Sequence, residues 1–187
     1  DFPQAGGAPL AAITAIASLD SLALAGGETV LVVGAAGGVG SFFVQLAAAA
    51  GANVIAPALP EDHEYLRGLG VNELIHRDSD VTAAVRELHP EGIDGLLDVV
   101  SPTPDASLLK EGGRLASPIG AAGEGDGRFN VGSEPSPTNL RRLAELLEGG
   151  ALRVPIQRTY LLEQPGEALQ ALPTTHTQGK LSLTIAS

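Results

Sequence analysis

An open parallel α/β sheet with helices on both faces is the fold class this sequence predicts, and three observations predict it. Residues 29–33 (TVLVV) form an unbroken run of β-branched and aliphatic side chains, as in a strand buried on both faces. The next seven residues, 34–40, contain four glycines, and 41–50 contain neither Pro nor Gly and favour helix. Further strand-like and helix-like stretches then alternate down the chain, the pattern of βαβ crossovers.

Taken in order, residues 9–25 read as a helix, apolar on most faces and stopped by Gly26 and Gly27. After the central strand–turn–helix, 53–58 (NVIAPA) read as a second strand. Pro60 opens a short helix over 61–69, with acids in its first turn and Arg67 late, both favourable to the helix dipole. A third strand is expected at 73–76, a helix at 81–88 ended by Pro90, a fourth strand at 93–100 and a fifth at 114–119. Residues 120–137 are rich in Gly, Pro, Ser and acid, so a mobile loop is expected, with a sixth strand at 128–131 as the other reading. An amphipathic helix at 140–147 ends at Gly149 and Gly150, which mark a boundary between residues 1–150 and 151–187. Beyond it a short strand near Val154, a helix over 163–172 interrupted by Pro165, and a last strand at 180–186 are expected.

The chemistry lies in the glycine turn. A strand, a glycine-rich bend and a helix together open a dinucleotide-binding βαβ unit, with the diphosphate on the free N–H groups of the helix start. A side chain at Gly37 or Gly38 would block that approach, and Gly40 lets the helix press on the strand. The Gly-x-Gly-x-x-Gly spacing needs Ala35 in its first place, whereas Gly34-x-x-Gly37-x-x-Gly40 fits a looser form. The competing reading is a glycine-rich turn with no ligand. At the end of the second strand, where NAD-preferring domains carry an acid for the ribose hydroxyls, stand Ala58 and Leu59; no carboxylate there repels a 2′-phosphate, and NADP(H) is favoured. Glu61 and Asp62, just beyond, argue the other way.

Composition narrows the classes. The 187 residues suffice for one substantial core, and the absence of any Met suggests a fragment or a processed chain. Without Cys there are no disulfides or thiolate metal sites. The net charge of −11 argues against nucleic-acid or anionic-membrane partners. No apolar run is long enough to span a membrane and no signal peptide leads the sequence, so the cytoplasm is the expected compartment. His63, His76, His89 and His176 are scattered, without metal-ligand spacing. Tyr-x-x-x-Lys, a P-loop Lys and a Gly-x-Ser-x-Gly elbow are all missing. Asp94 and Asp98 read as strand-end and cofactor-side polar groups rather than a catalytic pair.

The segments GETVLVVGAAGGVGSFFVQLAAAAGANVIA, EYLRGLGVNELI, IDGLLDVV, EGGRLAS and GKLSLTI, in this order, resemble the medium-chain dehydrogenase/reductase superfamily, specifically its zinc-independent quinone oxidoreductase branch. The resemblance covers nearly the whole chain. It implies a Rossmann-type doubly wound sheet for 1–150, and for 151–187 a C-terminal segment that packs on a GroES-like catalytic domain missing here, leaving the last strand an orphan. It implies NADP(H) as cofactor and hydride transfer to a quinone or α,β-unsaturated carbonyl, with the protein supplying position and electrostatics rather than a nucleophile. No catalytic residue and no metal ligand are named.

The cofactor residues that the motif and the resemblance point to begin with Gly34, Ala36, Gly37, Gly38, Val39 and Gly40 in the loop. Ala58 and Leu59 follow the second strand, and His63 falls near a phosphate-binding Lys of relatives. Arg77 falls where relatives often have a Tyr near the 2′-phosphate; a guanidinium could take that phosphate bidentately, or be a solvated charge beside Asp78. After the fourth and fifth strands come Val100, Ser101, Pro118, Ile119 and Gly120, with Ser101 and Ile119 in places where glycine is more common. Phe129 and Val131 fall on a segment that in relatives forms the sheet edge, reaches the nicotinamide and pairs across a homodimer. Alternatives are a zinc-dependent alcohol dehydrogenase or enoyl reductase cofactor domain, and a non-catalytic NADP(H) sensor.

Overall fold

A computed structural model describes residues 2–174 and 176–185, and of 173 and 174 the backbone alone. Its elements are α1 (Phe2–Gly7), α2 (Pro9–Leu22), β1 (Thr29–Val33), α3 (Gly38–Ala49), β2 (Asn53–Ala58), a 3₁₀ turn (Pro60–Asp62), α4 (His63–Leu69), β3 (Glu73–His76) and α5 (Val81–Leu88). There follow β4 (Ile93–Asp98), a second 3₁₀ turn (Ala106–Leu108), β5 (Leu109–Ser117), β6 (Arg128–Asn130), α6 (Pro137–Glu148), β7 (Ile156–Leu161), α7 (Pro165–Thr174) and β8 (Lys180–Thr184).

Six strands make one parallel sheet in the order β3-β2-β1-β4-β5-β6, the doubly wound arrangement. Alternation along the strands feeds two cores. Val30 and Val32 of β1 face α2, α3, α4 and α6, while Leu31 faces α5 and the second 3₁₀ turn; in β2, Val54 and Ala56 pair with the first core and Ile55 with the second. Phe42 and Phe43 are fully buried on α3, contributing about 1.5–3 kcal/mol each. In α2, Thr14, Ser18 and Ser21 return their hydroxyls to carbonyls four residues back, so the helix buries polar side chains without orphaning them.

Several boundaries differ from expectation for local reasons. Helix α2 stops at Leu22, because Ala23 takes the left-handed cap at φ 43° before the glycines are reached, and α1 precedes it unforeseen. Helix α3 starts at Gly38, so the glycines form its first turn. Strand β4 ends at Asp98, not residue 100, because the Asp98 carboxylate accepts the N–H groups of Val100 (2.9 Å) and Ser101 (2.7 Å) and turns the chain. Strand β5 begins at Leu109, carries an irregularity opposite β4, and ends at Ser117. Ser136 caps α6 through Asn139 N–H, starting it three residues before the periodicity shows. Pro165 opens α7 rather than interrupting it.

The C-terminal segment corrects two further expectations. The strand lies at Ile156–Leu161 and not at Val154, which is buried against the main core. Strand β8 is no orphan: it pairs in parallel with β7 across the α7 crossover, and α1 lies against both. That strand ends at Thr184, with Ile185 already outside it, and residue 186 of the expected range lies outside the described residues. Hydrogen bonds tie the C-terminal segment to the six-stranded unit. Gln45 of α3 donates to Arg153 O and accepts from Arg153 N, and Gly179 N donates to Ala36 O at 2.7 Å.

Candidate dinucleotide site

Between β1 and β4 the strand order reverses, and a cleft of about 710 Å³ opens there at the carboxyl ends of the strands. Its floor is the glycine loop. Gly34 sits at φ 87°, and a Cβ on it would lie 2.5 Å from Val99 Cγ2 and 2.8 Å from Val100 Cγ2. A Cβ on Gly40 would lie 2.2 Å from Gly34 O, which is how closely α3 presses on the strand end. Gly37 is the N-cap of α3 and bears no side-chain cap. The N–H groups of Gly38, Val39 and Gly40 precede the first helical donor, Ser41 N–H on Gly37 O, and carry the positive end of the helix dipole. A bare, donor-rich cradle at this position fits a diphosphate.

The walls come from four places. Ala58 ends β2, and Arg77, whose N–H donates to Ala58 O at 3.0 Å, follows β3 and lines the same cleft. Arg77 is half exposed, with Nε 3.6 Å from Asp78. Val100 and Ser101 line the opposite side on the turn that Asp98 shapes. Thr82 of α5 donates to Asp105 at 2.7 Å across the apolar end formed by Leu31, Leu96 and Leu108. The Ser107 and Thr82 hydroxyls hold the Asp105 carboxyl below its ordinary pKa.

The structure thus brings Gly34, Ala36, Gly37, Ala58, Arg77, Val100 and Ser101 to one cleft. Gly38 lies beside it, in a second cavity of about 510 Å³ that shares Gly37 and Thr177 with the first. Val39 and Gly40 belong to the loop but not to the cleft lining. Leu59, His63, Pro118, Ile119, Gly120, Phe129 and Val131 also lie outside that lining. His63 Nε2 is buried, while Ile119 is exposed. Phe129 and Val131 pack against the main core, and β6 is the outer strand of the sheet.

Lys180 and His176 went unseen in the sequence as cleft residues, and Asp62 figured there only as a carboxylate near the end of the second strand. Lys180 lays its side chain over Gly38, its Nζ 3.5 Å from where a Cβ would stand. His176 and Asp62 meet in the cleft wall, Nε2 lying 2.8 and 2.7 Å from the two carboxylate oxygens. Asp62 and His176 are 114 residues apart, and no local pattern announces the pair. At the opposite, amino-terminal edge of the sheet, Asp94 accepts from Thr29 N and pairs with Lys110, a structural role away from the cleft.

Comparison with known proteins agrees with this geometry. Residues 69–183 match the family model described as zinc-binding dehydrogenase. The chain has no Cys, and among the described residues no three His, Asp or Glu side chains converge. The chain is 32% identical over 97% of its length to the chloroplastic NADPH-dependent alkenal/one oxidoreductase of Arabidopsis thaliana, covering 47% of that protein. It is 36% identical over 98% of its length to the spectinabilin polyketide synthase system protein NorB of Streptomyces orinoci, covering 9% of it. The quinone oxidoreductase structure from Coxiella burnetii superposes with a TM-score of 0.86 at 28% identity, over the whole chain and 62% of that structure. The chain therefore spans about half the length of the first of these relatives and a small part of the second. Strand order, loop and family match converge, and the chain belongs to the zinc-binding dehydrogenase family, in the medium-chain dehydrogenase/reductase superfamily that its motifs resemble.

Proposed function

We propose that this chain is the NADP(H)-binding half of an oxidoreductase that passes hydride from NADPH to a quinone or an α,β-unsaturated carbonyl. The observation that carries the proposal is the bare glycine cradle at the β1–β4 switch point, with Ala58 rather than an acid at the end of the second strand and Arg77 beside it. In this reading Gly37, Gly38 and the first turn of α3 seat the diphosphate, and Lys180 adds an ammonium to that seat. Arg77 takes the 2′-phosphate, and Val100 and Ser101 wall the path toward the reactive end. The nicotinamide, when bound, supplies the hydride; the protein's share is orientation and charge. The names of the Arabidopsis and Coxiella relatives support the substrate class.

In the same reading, residues 151–187 form the side that meets a GroES-like domain. Leu169, Leu172 and Leu183 are exposed on that segment, and all three line the second cavity beside Gly38. The match to a polyketide synthase favours a second reading, an enoyl reductase acting on a carrier-bound enone. Titration of the chain with NADPH and NADH, followed by nicotinamide fluorescence, tests the cofactor. Tighter binding of NADPH is expected, and equal or absent binding would overturn the assignment. Reduction of free enones and quinones against an acyl-thioester enone, with the polypeptide carrying its natural flanking sequence, separates the two substrates.

A further inference from the structure

We propose that His176 is a specificity residue for the 2′-phosphate of NADP(H): its ring occupies both oxygens of Asp62 and so withdraws that buried carboxylate from the phosphate's approach. The inference rests on the dinucleotide reading above. Asp62 is 1% exposed and lies in the cleft wall four residues beyond Ala58. An acid so near the end of the second strand would suit a ribose hydroxyl and repel a phosphate. Here its oxygens are already taken, by His176 Nε2 at 2.8 and 2.7 Å and by Gln178 Nε2 at 3.0 Å.

The carboxylate only accepts, so the hydrogen of His176 sits on Nε2 whether the ring is neutral or charged. His176 lines the cleft with 31% of its side chain exposed, and Arg77 lines the same cleft.

Charge decides the case. Asp62 and Arg77 line the cleft with His176, and Glu61, His63, Tyr65 and Asp78 are their near neighbours in the chain. Lys180 is placed over Gly38, at the diphosphate seat. Arg77 is already shared with Asp78 at 3.6 Å, so an Asp62 carboxylate without its His176 partner would set a further anion against the phosphate. With both Asp62 oxygens held, Arg77 is left for the phosphate.

The test uses 2′,5′-ADP and 5′-AMP, which differ by the 2′-phosphate alone, titrated calorimetrically into the wild-type chain, His176→Ala and the double variant His176→Ala/Asp62→Asn. The preference for 2′,5′-ADP over 5′-AMP is expected to fall about tenfold in His176→Ala, which bares the carboxylate, and to return in the double variant, which removes its charge. Binding of 5′-AMP by every variant shows that the fold survives substitution here. An unchanged preference in His176→Ala, or no recovery in the double variant, with both probes bound, would overturn the role of His176 while leaving the dinucleotide site standing. Absence of binding by either probe to any variant would overturn the dinucleotide reading itself.

Discussion

Gly37 and Gly40 stand three residues apart in one loop, yet they should respond to the same substitution in opposite ways. A Cβ at Gly40 would be 2.2 Å from Gly34 O and 2.7 Å from Ala35 Cα, against 3.4 Å for ordinary contact, and both neighbours are backbone. Gly40→Ala must push α3 off the end of β1. Overpacking of this kind costs about 1–3 kcal/mol. In a chain of this size that lowers Tm by roughly 2–12 °C. At Gly37 a Cβ would find only Gly34 O, at 3.5 Å, and φ is an ordinary −78°. Gly37→Ala should therefore fold as wild type, and loss of unfolded-state freedom could even add about 0.4–1 kcal/mol. Its methyl, however, would enter the space where Gly37 lines the cleft. NADPH affinity should drop about tenfold or more, which corresponds to about 1.4 kcal/mol. Thermal melts and fluorescence titration of the two variants side by side check both halves. Undiminished NADPH binding by Gly37→Ala, or a wild-type melt for Gly40→Ala, would refute the reasoning.

Lys180→Ala should weaken NADPH and NADH alike by roughly tenfold, because its ammonium serves the shared diphosphate, and the loss should shrink at high salt. Arg77→Ala should instead weaken NADPH and leave NADH unchanged, read as the ratio of the two dissociation constants. Burial of Asp94 acts to raise its pKa, but the Lys110 pair and the Thr29 N–H outweigh it and hold the carboxyl below its ordinary value. A depressed carboxyl contributes stability that is present above its unfolded pKa and is lost as pH falls through the folded one, here below about pH 4. Asp94→Asn should cost roughly 1–3 kcal/mol at neutral pH and flatten the acid limb of a denaturation series.

The sequence by itself determined the architecture and the place of the loop. A β-branched run, four glycines and an Ala-rich helix settle their conformations within a few residues of one another, so β1, β2, β3 and α5 stand where the pattern puts them. Boundaries slipped where one side chain or one backbone angle overrode composition: Asp98 capturing two N–H groups, Ala23 taking the left-handed cap, Ser136 opening α6. Only the tertiary structure decided which residues wall the cleft. Lys180 reaches Gly38 because β8 has a partner in β7, and Gly179 ties that pair to Ala36. His176 meets Asp62 across 114 residues, while the adjacent His63 turns its Nε2 into the interior. Periodicity and spacing record contacts a turn or a strand apart. Contacts made by folding the C-terminal segment back over the glycine loop leave no such trace, because their geometry exists only once both cores have packed.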